Sequence, residues 1–499
     1  MSSSQRMSGI SLAAFLSAVA LFAITSSSQR TASAAGTGAA GATSQPAGSA
    51  DDASLPAREY NSALDLGVAL APLNGGPYMD GVRRYPTDLG RVPAGKPLAI
   101  PAGRLWYVTQ DSPVGPKLIQ EIRAQRIPGV SLWDGSDADL AKLSDLRELR
   151  LLDLSNSDVT DEGLANIEGL TSLQWLSLHD NLRVTDAGLG HLMSLKALRT
   201  LDLSGIAITA AGLEKIEGLT GLQSLNLASS RIGSDAGLAH IKKLTALSTL
   251  DLTFTGVTDA SLQHLEGMVA LQTLSLSQSV VSSAGLEHLK ALSRLRSLDL
   301  SDTKVTGAGL VWLKGLPELA ELNLSATRVT YGGFEHLREL AALRNLGLSS
   351  MGVTDAELAS VKTLTRLEVL TLEGADLTDT GLKNLEGLVS LRTLNLTGVK
   401  VTDEGMVNLR NMLALEDLRF DATRITDDGL KNFGGMRSLT VLSLNDTKIT
   451  DAGLEQLSGL KALRILSVYD TKVTRDGAAA LKKALPQCLI EFGKMGARG

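Results

Sequence analysis

A single cysteine, Cys488, in 499 residues excludes disulfide-stapled caps and cysteine-built metal centres. Aromatic residues make up only 3% of the chain, leaving little material for base-stacking platforms or a cofactor pocket. Neither sign of charge dominates. The 48 basic and 54 acidic residues give a net charge of −6, unlike the basic footprint of a nucleic-acid binder. No GxGxxG, P-loop or GxSxG motif opens a helix, and the serines lack a histidine at defined spacing. No catalytic residue and no cofactor are therefore expected. Proline is scarce after Pro128: only Pro317 and Pro486 follow it. Because proline interrupts backbone ladders, that boundary marks the start of a regular structure.

Ahead of the boundary the text is irregular. "ISLAAFLSAVALFAI" (10–24) is an apolar run of fifteen residues, short of the roughly 20 that span a membrane. With Arg6 before it and Ala32-Ser33-Ala34 behind, it reads as part of a signal peptide over 1–34. The protein is therefore expected to be exported, to the periplasm, cell surface or medium, with no integral membrane span after cleavage. Residues 35–54 read as a disordered linker. The Pro-rich segment 55–128 holds strand-like text such as "GRLWYVTQ" (103–110) and a capping helix over 116–127, with Leu118, Ile119 and Ile122 on one face. Residues 129–146 read as a truncated rung built on "VSL" (130–132), which Trp133 and the helix should close.

From 147 to 484 the chain divides into fourteen units, twelve of 24 residues and two of 25, followed by a C-terminal cap over 485–499. In "RLRSLDLSDTKVTGAGLVWLKGL" (294–316), Leu298 and Leu300 have strand spacing and Leu310, Leu313 and Leu316 helical spacing. Neither half buries its leucines alone; stacked units do. The phrase "VTDEGL" (159–164) returns in variants, and its Thr or Ser never lapses, which marks a helix N-cap. The aspartate after it, kept in nine units, should complement its own helix end. The glycine, kept in twelve, should allow close approach to a neighbouring backbone.

This pattern, LxxLxLxxTxVTDxGLxxLxxL, resembles a leucine-rich repeat. Its VTDxGL wording is similar to the cysteine-containing repeats of F-box proteins, while the 24-residue length and lack of repeat cysteines resemble exported bacterial members. The resemblance implies an α/β fold: a right-handed solenoid, or horseshoe, with parallel concave strands and short convex helices. The family's asparagine after the strand is mostly replaced here by Ser or Thr, and by Met351, Ala375 and Val399 in three successive rungs, where the ladder should weaken.

Histidines 191, 240, 264, 288 and 336 form a column on the helical side. Parallel helices would run them side by side rather than converge them, so no metal site is expected. The strand side is more informative. Asp153, Asp202, Asp251 and Asp299 recur on alternate rungs between inward leucines, with Trp175, His179 and Phe254 at nearby outward positions. Large exposed aromatics beside charges are typical of interface hot spots. These seven residues are the candidate ligand-binding set. The function read from the sequence is an exported, monomeric protein-binding module with a protein partner, a glycan being the other ligand class considered. A substrate-recognition adaptor of F-box type and a structural cell-envelope protein are the alternatives. The sequons at Asn323 and Asn395 fall on the strand face, where glycans would obstruct a partner, which favours a bacterial source.

Overall fold

The computed structural model describes residues 56–60, 62, 64, 66–71, 87–92, 97–109, 113–233 and 235–494. The expected signal peptide (1–34), the linker (35–54) and Ser234 lie outside the described residues. The chain forms two compact bodies that divide between Leu298 and Asp299. Each is built from repeated rungs of strand, turn and helix.

The leucine spacing explains the rung. In the unit starting at 147, Leu152 and Leu154 flank Asp153 at strand spacing, and Leu164, Ile167 and Leu170 follow at helical spacing. All five are fully buried. Each such side chain contributes about 1.5–3 kcal/mol. A residue in the left-handed region then turns the chain out of each strand, Asn156 (φ 55) and Gly205 (φ 72) among them.

The first body opens with β1 (Arg58–Tyr60), β2 (Leu66–Leu70), β3 (Thr87–Val92), β4 (Leu98–Ile100) and β5 (Trp106–Thr109). Next come α1 (Pro116–Gln125), β6 (Gly129–Ser131) and α2 (Asp137–Leu143). The parallel stack continues with β7 (Leu151–Asp153), β8 (Trp175–Ser177), β9 (Thr200–Asp202), β10 (Ser224–Asn226), β11 (Thr249–Asp251) and β12 (Thr273–Ser275). The Pro-rich segment joins this sheet rather than preceding it. Val108 of β5 pairs parallel with Val130 of β6, and β2 pairs antiparallel with both β5 and β3. Pro116 sits at the start of α1, where a missing N–H is harmless. Leu118 and Ile122 of α1 are buried and Ile119 only half-buried. Trp133, expected to close the front, is 59% exposed; β5 pairs with the edge of β6 instead.

The second body stacks eight parallel strands, from β14 (Glu321–Asn323) through β20 (Ile465–Tyr469) to β21 (Leu489–Gly493). Leu322, Leu346, Leu370 and Leu394 stay in register on successive rungs. Thr327, Thr423 and Thr447 each donate a hydroxyl to the carbonyl three residues back, at 2.6, 2.7 and 2.6 Å. Ala375 and Val399 cannot, yet strand register continues through their rungs and Gly374 N still reaches Thr397 O at 2.8 Å. Only the side-chain bond is lost. Cys488 is fully buried behind the last helix (Arg475–Ala484), and burial pushes its thiol above the usual range.

The recurring phrase is a cap, with one correction. Thr160 Oγ1 accepts from Gly163 N at 3.3 Å, and Thr450 Oγ1 from Ala452 N at 3.2 Å. The aspartate, however, serves the next rung. Asp403 Oδ1 accepts from Thr426 N at 2.8 Å, and Asp403 Oδ2 accepts from Thr426 Oγ1 at 2.6 Å. Asp161 does the same for Thr185, Asp379 for Thr402 and Asp451 for Thr474. The glycine makes room mainly for this carboxylate. A Cβ on Gly188, Gly381, Gly429 or Gly453 would overlap the preceding rung's aspartate oxygen. Backbone approach, the expected reason, holds at Gly333, which lies against Gly307. Where Tyr331 replaces the aspartate, the following rung carries Glu357 in the glycine's place. Glu357 bonds Thr354 N at 2.7 Å and Thr354 Oγ1 at 2.9 Å from within its own helix.

Candidate functional site

Three-residue strands with a leucine at the centre put their first and third residues on the face opposite the core. In the first body one column on this strand face reads Asp153, Ser177, Asp202, Asn226, Asp251, Ser275 in direct register. A second, two residues earlier, reads Leu151, Trp175, Thr200, Ser224, Thr249, Thr273. The four candidate aspartates share one local geometry. Each Oδ1 accepts the backbone N–H two residues on: Ser155 and Ser204 at 3.0 Å, Thr253 at 2.9 Å, and in the second body Ser301 at 2.8 Å. A recurring "DLS" or "DLT" was the visible signal for this pinning, and the sequence reading missed it. The second oxygen differs between rungs. Asp153 Oδ2 accepts from Ser131 Oγ at 3.1 Å, whereas Asp202 Oδ2 is buried without a partner.

Exposure departs from expectation at several of these residues. Asp202 is 0% and Asp251 2% exposed, while Asp153 and Asp299 are half-buried. Trp175, expected at the surface, is 5% exposed because it packs with Ala69, Ala71, Leu105, Tyr107 and Leu151. The N-terminal strands create that contact, which the repeat pattern cannot reveal. His179 is buried as well, with Nδ1 2.9 Å from Ser204 Oγ and Nε2 3.1 Å from the Asp180 carboxylate. Ser204 gives its proton to Asp202 Oδ1 at 2.6 Å, so His179 Nδ1 is the donor in its own bond. Burial raises the Asp202 carboxyl above the usual range, against the bonds from Ser204. Burial and the nearby Asp153 likewise push the Tyr107 phenol up.

Phe254 alone matches the expected exposed aromatic, at 63% exposed. It occupies the left-handed turn position with φ 56, where other rungs place Asn, Asp, Ser, Gly, Gln or Ala. A bulky residue is a rare occupant of that region, because its side chain crowds the backbone.

The other columns are internally occupied. His191 and His288 each place Nδ1 2.6 Å from a glutamate of the preceding rung, Glu168 and Glu266. With His240 3.9 Å from Glu217, three of the five histidines face a glutamate of the preceding rung. On the second body's strand face, Glu373 accepts from Asn395 Nδ2 at 3.2 Å, and Asp421 accepts from Ser443 Oγ at 2.6 Å and Asn445 N at 2.7 Å. Burial raises both carboxyls. Arg419 is turned onto Asp417 of its own strand, with Nε 3.1 Å from Oδ1. Asn323 and Asn395, the sequon asparagines, are buried.

Comparison with known proteins places this geometry. A model described as a leucine-rich repeat region matches residues 131–361, and one described as a leucine-rich repeat matches 388–409 and 435–458. A leucine-rich repeat protein of Leptospira interrogans is similar in structure, with a TM-score of 0.55 and 23% identity over 76% of this chain and 93% of that one. An internalin of Listeria monocytogenes gives a TM-score of 0.49 and 23% identity over 62% and 88%. No curated protein matches the chain.

Proposed function

The chain belongs to the leucine-rich repeat family, whose members generally act in protein–protein interaction, and from that premise we propose that it is an exported module that holds a protein partner on its strand face. The observation that carries the reading is Phe254. A strained turn position occupied by an exposed aromatic gains nothing from internal packing, and such outliers concentrate where a ligand uses them. Export is supported by the signal-like text of 1–34. Among the described residues no helix is long and apolar enough to cross a membrane. The family's usual role is a binding scaffold, and catalysis has no place in the proposal.

The test is affinity capture with residues 35–499 as bait, against Phe254→Glu and, as a helix-face control, Val407→Glu, which alters an exposed residue within the helix Gly405–Leu409. A partner captured by the native bait and by V407E but lost from F254E supports the strand face. Loss from V407E alone moves the site to the helix face, and no capture by any bait favours a structural role. Export has its own readout. Residues 1–34 fused to an enzyme active only outside the cytoplasm should give activity; a silent fusion removes export from the reading.

A further inference from the structure

Four polar atoms on three consecutive strands of the first body are buried and have no partner: Trp175 Nε1, Asp202 Oδ2, Ser224 Oγ and Asn226 Nδ2. Their residues lie together on the strand face, since Trp175 stands opposite Thr200 and then Ser224, and Ser177 opposite Asp202 and then Asn226. Buried polar groups in proteins are nearly always bonded, so four such atoms in one patch call for complementary groups from elsewhere. The patch is prearranged as well as unsatisfied. Asp202 Oδ1 is held by Ser204 and Asn226 Oδ1 by Ala228 N at 3.0 Å, so each side chain is locked with its other end free. At the same column position in the second body, Asn395 turns its Nδ2 to Glu373 at 3.2 Å. Asn345 Oδ1 and Ser349 Oγ, on one rung of the second body, are also buried without a partner; among the described residues only β8 to β10 bring such atoms together on consecutive strands.

We propose that this patch takes an extended segment of a partner polypeptide, with a lysine or arginine side chain on Asp202 and main-chain carbonyls on Trp175 and Asn226. This rests on the protein-binding reading above and specifies its partner's chemistry. The order of groups across the strands is donor, acceptor, donor. Strands repeat at about 4.8 Å, so β8 and β10 are about 10 Å apart. Three residues of extended chain span about the same length. A single small carboxylate or amine cannot reach both donors. A neutral sugar offers hydroxyls but no charge to balance Asp202, and Asp153 and Asp251, two strands away on either side, extend the acidic column. Trp175, Asp202 and Asn226 are closed off from solvent. Side chains over them must therefore part on binding, which slows association below that of a rigid interface.

The experiment uses the full exported chain on an array of capped nonapeptides whose central residue is Lys, Arg, Gln, norleucine or Glu in an otherwise degenerate background. The Lys and Arg sets should retain the protein about tenfold more than the Gln and norleucine sets, as expected of a charge-assisted bond. Asp202→Asn should abolish that preference. Trp175→Phe, which keeps an aromatic ring in the apolar cluster, should weaken all sets alike. Equal retention of the Gln or norleucine sets, retention of none, or undiminished selectivity in D202N would each overturn the proposal. F254E separates the two readings. Capture of a partner through Phe254 with no cation selectivity on the array leaves the binding module standing and removes only this patch.

Discussion

Two columns of aspartate run along this molecule, and they behave in opposite ways. At the helix starts, Asp161, Asp379, Asp403 and Asp451 spend both oxygens on the threonine of the following rung. On the strands, Asp153, Asp202 and Asp251 commit Oδ1 to their own rung, and Asp202 leaves Oδ2 buried and unpaired. The same residue type recurring in two columns is thus interlocking architecture in one and, at Asp202, unspent bonding capacity in the other. Recurrence therefore does not reveal a role; what each oxygen touches does.

The comparison breaks most visibly through the glycine that receives the helix-start carboxylate. Gly429→Val would drive a branched side chain into Asp403, Ile425 and Met406, and should cost about 3 kcal/mol. Gly434→Ala, at a position with nothing within 4 Å, should leave the urea midpoint nearly unchanged. Removing the carboxylate is the next step down. Asp403→Ala loses two charge-assisted bonds in a partly solvated place and should cost about 1–2 kcal/mol by urea denaturation. A midpoint equal to the native one would return the aspartate to a helix-end bonus.

Removing the strand carboxylate's charge should act in the other direction. Burial raises the folded Asp202 pKa above an unfolded value of about 3.9. Below that value the group is neutral in both states and burial carries no charge penalty. As pH rises toward the folded pKa the unfolded chain ionises first, so stability falls across that window and stays reduced above it. Asp202→Asn should therefore raise the melting temperature at pH 7 and leave it unaltered below about pH 4. An unchanged or lower melting point at pH 7 would mean the buried carboxylate is compensated. The smallest effect concerns Phe254. Gly at that left-handed position should gain about 0.5–1 kcal/mol by relieving the turn while weakening partner capture, so a rise in stability without loss of binding would detach the strain from function.

Much of this was legible in the sequence, for one physical reason. Period-two and helical leucine spacing within a 24-residue unit fixes the rung, and Leu152, Leu154 and Leu164 are buried as that spacing requires. The threonine cap was equally readable because its bond closes within three residues. The aspartate's true partner lies 23 residues ahead, as in Asp403 and Thr426, so single-unit reasoning assigned it to its own helix. One local clue existed: Glu357 stands where a glycine would, one rung after Tyr331 fills the aspartate position. The burial of Trp175 and His179 was not readable at all. It depends on Tyr107 and Ala69, from strands outside the repeat, and on Ser204 a rung away.

The helix-start interlock has a consequence for how such an array changes length. A complete unit offers a carboxylate forward and presents a threonine and a glycine backward, so the two halves of each such joint lie on different copies; nine units carry the aspartate and twelve the glycine. Inserting a duplicate of a whole unit beside its original breaks one joint and supplies the parts for two. Arg475, like Ala210, Ser283, Gly307 and Tyr331, stands where nine units carry aspartate. Extension by copying is therefore least costly beside a unit that keeps the aspartate, and most costly beside these five, which offer no carboxylate to the next copy.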